Sequence, residues 1–270
     1  VDIDAPAAGE VLIRTAAAGV CHSDLHFVDG FYATDLPCVP GHESAGVVEA
    51  VGDGVGYVQP GDHVITCMSA FCGVCRNCTA GRPVLCESTE TWRTSGTAPR
   101  LSQNGEPLTQ LYNLGSYAEQ MLVHERACVK VRPDMPLDRA ALIGCAVMTG
   151  FGSVTNTARI PVGASVVVIG CGGIGLSAIN GAALSGAGTV IAVDLSAAKL
   201  TMAVSFGATH TIDASTTDPV AAVRELTGGG SDYAFEAVGL KQTSEQAYEM
   251  GRYGGPAVVI GMAPRGRQPA

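Results

Sequence analysis

The rhythm of apolar and polar positions changes near residue 147. Up to about residue 145 the apolar residues come in short runs broken by Gly, Pro and Asp: EVLIRT, ESAGVVEAVG, DHVITCM, YAEQMLVH and ACVKV. Runs of this length, separated by turn-formers such as Gln59-Pro60-Gly61-Asp62, predict a β-rich domain with irregular connections over residues 1–146. Over residues 147–270, strand candidates at 166–170, 189–193, 209–212, 232–237 and 257–261 alternate with helical stretches at 174–187, 196–206, 218–227 and 241–252. That alternation predicts an α/β domain, a parallel sheet with helices on its faces.

Residues 160–193 carry no charge and test this reading, since a membrane span can look the same. The stretch holds eight glycines, Pro161 and Asn180, and its apolar runs VVVI and VIAV are strand-length, so strand, tight turn, helix and strand account for it better. With 47% apolar residues and a mean hydropathy of +0.26 the chain can build two cores. A net charge of −9 without a Lys/Arg cluster argues against nucleic acid and anionic membrane as partners and leaves small molecules. The N-terminal VDIDAPAAGEVLIRT has no basic-then-apolar signal pattern, so the expected setting is the cytoplasm. There, ten cysteines serve as thiols and metal ligands rather than as disulfides.

VVVIGCGGIG, residues 166–175, is a buried-strand run leading through Gly170-x-Gly172-x-x-Gly175 into a helix, and VIAVD follows, ending in Asp194. Glycines at this spacing let the backbone approach a pyrophosphate at a helix N-terminus. A carboxylate after the second strand accepts hydrogen bonds from the adenosine ribose, and it repels a 2′-phosphate, which favours NAD over NADP. A plain strand-to-helix turn followed by a solvated aspartate is the competing explanation.

Cys72-x2-Cys75-x2-Cys78-x7-Cys86 carries a second chemistry. Four thiolates at this spacing close tetrahedrally around zinc with no open position, a structural site. A bacterial ferredoxin run also opens C-x2-C-x2-C, but its fourth cysteine follows after three residues and precedes proline; here it precedes Glu87. A more scattered constellation includes Cys21-His22-Ser23-Asp24-Leu25-His26 and Gly41-His42-Glu43. A catalytic zinc takes three protein ligands and an exchangeable position, and Cys21 and His42 can supply two. Spacing leaves the third open among Cys38, Cys67, Cys128, Cys145 and Cys171. Ser23 and Asp24 also fit a helix N-cap, and His26 a surface histidine.

Cys21-x-Ser-Asp-x-x-His26, GHESAGVVEAVGDGV, PGDHV, the four-cysteine loop, LIGCAVMTGFGS and VVVIGCGGIG stand in the order seen in zinc-dependent medium-chain alcohol dehydrogenases, which the chain resembles over nearly its whole length. The resemblance implies a GroES-like catalytic domain over 1–146 and a Rossmann coenzyme domain over 147–270. It implies two zinc ions per chain and NAD, with Cys145 of LIGCAV as the third catalytic ligand beside Cys21 and His42. Zinc would act as a Lewis acid on an alcohol oxygen while hydride passes to the nicotinamide, giving an aldehyde or ketone.

By the same resemblance Ser23 and His26 carry the departing proton, Asp24 and Glu43 are carboxylates that support the metal, and Thr149 and Ile174 (with Gly173 in the turn) stand by the nicotinamide. Lys199 is assigned to the adenosine ribose and His22 to the pyrophosphate; ordinary packing and solvated charge are the alternatives for these. RTSGTAPRLSQNGEPLTQLYNLGSYAEQ resembles the long loop of the classical and benzyl-alcohol enzymes, and Met68, Tyr32 and Met262 match positions lining an apolar pocket for a primary or aromatic alcohol. His26 argues against the glutathione-dependent formaldehyde branch, which usually has tyrosine there, and Asp194 against NADP-linked cinnamyl-type members. Against the family the sequence looks truncated at both ends. It stops after a fifth Rossmann strand, AVVIG, so a sixth strand is expected to be absent, and with it the homodimer contact expected of a full-length member. The rival classes are a thiol-adduct-dependent formaldehyde dehydrogenase and a non-catalytic, zinc-stabilised nucleotide-binding protein.

Overall fold

The short apolar runs of the first half become the strands of two small sheets. The computed structural model describes residues 1–93 and 98–263, and the chain divides into two units, Val1–Cys145 and Ala146–Ala270. Residues 94–97 of the long loop lie outside the described residues. In the first unit the strands are β1 (Asp2–Ile3), β2 (Glu10–Gly19), β3 (Cys38–Val39), β4 (Glu43–Val51), β5 (His63–Thr66), β6 (Leu101–Gln103), β7 (Glu106–Gln110), β8 (Gln120–His124) and β9 (Cys128–Lys130). An antiparallel sheet runs β8-β2-β4-β5-β9, and a second sheet runs β1-β6-β7-β3.

Alternation builds the core of the first unit. Val11 and Ile13 of β2 meet Val48 of β4, Val64 of β5 and Met121 and Val123 of β8 in one buried cluster, as the period of two in a strand requires. Three short helices, α1 (His22–Val28), α2 (Arg76–Thr79) and α3 (Leu137–Ala140), interrupt the strands. Two bulges let β2 follow β4 to its end, where Gly19 lies opposite Glu43. That register places the residues just after β2 beside those just before β4.

The second unit has the expected alternation. Its strands are β10 (Ser165–Ile169), β11 (Thr189–Asp194), β12 (His210–Asp213), β13 (Tyr233–Glu236) and β14 (Ala257–Val259), and its helices α4 (Ala146–Gly152), α5 (Gly173–Leu184), α6 (Ala197–Ser205), α7 (Pro219–Thr227) and α8 (Lys241–Met250). All strand pairs are parallel, in the order β12-β11-β10-β13-β14. Both faces are covered, which explains why these strands read as unbroken apolar runs. Val166 and Val168 join α5 and α6 through Ile179, Ala182 and Leu200. Val167 and Ile169 join α7 and α8 through Val223, Ala247 and Met250. Residues 160–193 form strand, turn, helix and strand, and no single helix among the described residues is long and apolar enough to cross a membrane.

A buried ion cluster ties the long loop to β2. Arg93 donates to both oxygens of Glu10 at 2.9 and 2.5 Å and to Asp4 at 2.6 Å, while Arg100 donates to Glu10 at 2.8 Å. Glu10 and Arg100 are only 3% and 6% exposed, so neither charge has water to fall back on. Burial pushes the Glu10 carboxyl up, but the two guanidiniums outweigh it and hold the group below its usual range. A lowered folded value gives stability that is present above the unfolded value of about 4.3 and lost as the pH falls through the folded value. Glu10→Gln is therefore expected to cost about 3–5 kcal/mol at pH 7. In urea unfolding the gap between the two proteins should narrow below about pH 4; a gap of the same size at pH 3 and pH 7 would contradict this.

Candidate functional site

The register of β2 against β4 gathers the first donor set. Cys21 caps the start of α1, two residues beyond the end of β2, and His42 immediately precedes β4. Cys145 follows the tight turn Ala141–Gly144, which packs on β4 and β5 and whose Gly144 approaches the Thr66 carbonyl too closely for any side chain. Ligand atoms of Cys21, His42, Glu43 and Cys145 all lie within 4.8 Å of one another. The Cys21 and Cys145 sulfurs are 4.0 Å apart. Two thiolates on one tetrahedral zinc at about 2.3 Å stand roughly 3.8 Å apart, so the spacing fits that ion.

The imidazole is held from behind. Asp24, on α1, accepts from His42 Nδ1 at 3.0 Å and from the Gly41 amide at 3.1 Å. Nδ1 is thereby committed to the carboxylate, which leaves Nε2 as the ligand atom. Tyr117 donates its phenol to the second Asp24 oxygen at 3.0 Å, and the Tyr112 ring stands edge-on to His42 at 5.2 Å. Asp24 thus supports His42, whereas the Glu43 carboxylate lies inside the donor set itself. An N-cap role for Ser23 and Asp24 is not what forms: Cys21 takes the cap position, without a side-chain cap bond, and Asp24 turns to His42. Ser23 bonds the Cys21 sulfur through both its backbone and its hydroxyl.

Electrostatics make this cluster a poor resting place for protons shared evenly. A hydrogen bond from Cys145 is the largest influence on Cys21 and, with bonds from His42 and Ser23, pulls its thiol down to about 3 against the opposing effect of burial. The Cys21 thiolate in turn pushes Cys145 up, and burial adds to it. Burial alone would lower His42, but Asp24 and Cys21 raise it to about 9. Burial raises Glu43 as well, and burial with the Asp24 charge raises the Tyr117 phenol.

The second donor set is local. Cys72, Cys75, Cys78 and Cys86 also bring their sulfurs within 4.8 Å of one another, with Cys75 at 3.4 Å from Cys78 and 3.9 Å from Cys86. Backbone amides turn toward the sulfurs, Cys72 N to Cys86 Sγ and Cys75 N to Cys72 Sγ, both at 3.3 Å. Such amides favour thiolate: the Val74 amide is the largest influence lowering Cys72, and the amide contact at Cys78 heads those that bring Cys75 to about 6. Arg126 donates to the carbonyls of Phe71 and Cys72 and fixes the loop entrance.

In the second unit the glycine turn follows β10, where the strand order reverses. Gly170 has φ +92°, and Gly175 packs against the Gly170 carbonyl too closely for a side chain. Gly172 differs: a Cβ there would meet nothing within 4 Å among the described residues, so no packing among them demands a glycine. It caps α5 with no side-chain cap bond, and its backbone is exposed at the helix start. Asp194 ends β11 and accepts from the Cys171 amide at 2.7 Å and the Ser196 amide at 2.9 Å, joining the turn to the second strand. Gly173 opens α5 and Ile174 follows it, half-buried; Thr149 lies half-buried on α4, and Lys199 is exposed on α6.

His26 is buried, not a surface group: it is 8% exposed and its Nδ1 has no hydrogen-bond partner. Its ring stands edge-on to exposed His22 at 4.9 Å and to Tyr32 at 5.8 Å. Of the pocket positions, Met68 is exposed and Tyr32 half-buried in the first unit, while Met262 belongs to the second. The sequence reading gave Tyr112 and Tyr117 no role of their own: both lie in the long-loop stretch, and Tyr117 also starts the strand run YAEQMLVH.

One closed sulfur set, one mixed set and a nucleotide-type turn in a single chain mark a zinc-using, nucleotide-dependent dehydrogenase. Residues 7–133 match the family model of the alcohol dehydrogenase GroES-like domain, and residues 173–270 that of the zinc-binding dehydrogenase. The chain is 41% identical to the NDMA-dependent alcohol dehydrogenase of Amycolatopsis methanolica, over 97% of this chain and 72% of that protein. It is 39% identical to the S-(hydroxymethyl)glutathione dehydrogenase of Photobacterium damsela subsp. piscicida, over 99% of this chain and 75% of that protein. Among solved structures, benzyl alcohol dehydrogenase from Acinetobacter calcoaceticus matches with a TM-score of 0.89 at 35% identity, covering 100% of this chain and 74% of that one. The chain belongs to the zinc-type medium-chain alcohol dehydrogenase family.

Metal loading has a proton signature. Zinc takes thiolates and neutral imidazole; at pH 8 His42, raised to about 9, and Cys145, raised by the Cys21 thiolate, still hold their protons. Filling this set in protein whose four-cysteine site already holds zinc should release about two protons at pH 8, read by titration calorimetry in buffers of different ionisation enthalpy. Release near zero would contradict these protonation states.

Proposed function

We propose that the chain catalyses reversible oxidation of a primary or aromatic alcohol to its aldehyde with NAD, using one zinc at Cys21, His42 and Cys145 and a second, structural zinc at Cys72, Cys75, Cys78 and Cys86. The observation that carries this reading is the gathering of the Cys21, His42, Glu43 and Cys145 ligand atoms within 4.8 Å. A zinc ion bound there supplies Lewis-acid polarisation of the alcohol oxygen. With Cys21, His42 and Cys145 as ligands and Glu43, its carboxyl raised by burial, left outside the shell, one of four tetrahedral positions remains for an exchangeable ligand, which the four-sulfur set does not offer.

The chain's own residues do the rest. Asp24 fixes the tautomer and the tilt of His42 through the 3.0 Å bond to Nδ1. Ser23 and His26, three apart on α1, lie on one helix face and carry the alcohol's proton outward. Gly172 and the start of α5 receive the pyrophosphate, Asp194 the adenosine ribose, and Lys199 and His22 add positive or hydrogen-bonding groups to the coenzyme. Thr149 and Ile174 bound the nicotinamide. The carboxylate of Asp194 favours NAD by repelling a 2′-phosphate. A homodimer of the full-length protein and a cytoplasmic setting belong to the same reading. The name of the structural relative, benzyl alcohol dehydrogenase, supports the aromatic substrate class.

A second reading has its own support, the relative named S-(hydroxymethyl)glutathione dehydrogenase. One assay separates the two. NADH formation is followed with benzyl alcohol, ethanol and S-hydroxymethylglutathione, with NADP in a parallel series and zinc counted per chain. The expected result is turnover of benzyl alcohol with NAD and about two zincs per chain. Cys145→Ala should stay folded with about one zinc and lose at least about 10²-fold in kcat. Turnover of the glutathione adduct alone would move the chain to the second reading. About one zinc in the unsubstituted protein with no turnover on the panel would leave a non-catalytic nucleotide-binding protein.

A further inference from the structure

Asp24 is 3% exposed and has two carboxylate oxygens to satisfy. One takes His42 Nδ1 and the Gly41 amide. The other takes the phenol of Tyr117 at 3.0 Å, and the same Tyr117 oxygen lies 3.2 Å from the Gly19 carbonyl. A phenol has a single proton, and a charged carboxylate is the stronger acceptor, so the bond to Asp24 takes it. Gly19 stands two residues before Cys21. One side chain therefore reaches both the approach to Cys21 and the carboxylate behind His42.

The backbone around Tyr117 points to the same place. The Ser116 and Tyr117 amides donate to the carbonyls of Gly41 and Pro40 at 3.1 and 3.0 Å. Gly41 has φ +96°, and a Cβ there would lie 2.5 Å from both the Tyr117 ring and Ser116 Oγ. The segment that delivers His42 to the donor set is thus pinned at Pro40 and Gly41 by Ser116 and Tyr117. Since Asp24 and Tyr117 are separated by 93 residues, no local pattern enforces their contact. Packing of the ring on Gly41 would be served equally well by phenylalanine; the hydroxyl is the part that meets Asp24, the Gly19 carbonyl and the Cys21 backbone.

We propose that Tyr117 is a positioning residue for the catalytic metal: its hydroxyl holds Asp24 in place, and through Asp24 it sets His42 for zinc. The proposal rests on the reading that Cys21, His42 and Cys145 hold an ion. It is a role for a residue outside the ligand sets and outside the proton path described above.

The test is Tyr117→Phe, which removes one oxygen and keeps the ring. Zinc is withdrawn from each site by competition with a chelating dye, and unfolding of the zinc-loaded protein is followed in urea. The catalytic site of Tyr117→Phe is expected to bind zinc about 10- to 100-fold more weakly, with the four-cysteine site unchanged. In an Asp24→Asn background the same substitution is expected to add little, because the path runs through Asp24. Cobalt in the catalytic site should show a shifted visible spectrum in Tyr117→Phe, a change that loss of general stability does not produce. Unchanged affinity at the catalytic site, a full further loss in the Asp24→Asn background, or equal loss at both sites or of the fold would each overturn the proposal. If the unsubstituted protein held zinc only in its four-cysteine site, the underlying reading of the site would fail instead, so the two failures are distinct.

Discussion

Two thiols, an imidazole and a carboxylate packed within 4.8 Å of one another pull each other away from their ordinary charge states. Much of the first unit answers to that constraint. Cys21 is driven toward thiolate and His42 toward imidazolium, while Cys145 and Glu43 are held toward their protonated forms. A divalent ion held by Cys21, His42 and Cys145 would take the place of those protons. The scaffolding follows from the need to hold these groups together without it: β2 and β4 in register at Gly19 and Glu43, the turn that ends at Cys145, and Asp24 behind His42.

The four-cysteine set obeys the same chemistry with another outcome. Its sulfurs come from one short loop and are met by backbone amides, so the loop can be closed around an ion with no strand register to depend on. All four tetrahedral positions are then filled by sulfur, and the densest cluster of reactive groups in the chain has no room for a substrate. The sparser set, drawn from distant parts of the sequence, is the one with a position to spare. On the proposed reading, stability and chemistry are divided between two sites of one domain by ligand number.

What the sequence disclosed depended on distance along the chain. The cysteine loop and the glycine turn are local, and their spacing alone carried their chemistry; the parallel sheet was legible because its strands are apolar on both faces and its helices intervene regularly. Cys145 is 124 residues from Cys21, and only strand pairing makes them neighbours, so spacing left it one of five cysteines until the family pattern selected it. The Asp24 to Tyr117 contact was illegible for the same reason. By local hydrogen bonding alone Ser23 and Asp24 also fit a cap, and only the family pattern turned Asp24 toward the metal's support; the buried imidazole 18 residues on is its partner. A surface histidine was the alternative to the proton-path role the resemblance gave His26, and its burial comes from Phe31 and Tyr32, in the segment after α1, folding back on it, with His22 beside it on the helix.

The claim on which everything else stands is that one donor set is open and the other closed. The most direct measurement is the visible spectrum of the protein with cobalt(II) in both sites, recorded while imidazole is added as an external ligand. The account predicts that the bands of the mixed thiolate and imidazole site shift on addition and that those of the four-sulfur site stay fixed. Bands that do not move in either site, or a shift confined to the four-sulfur site, would contradict it.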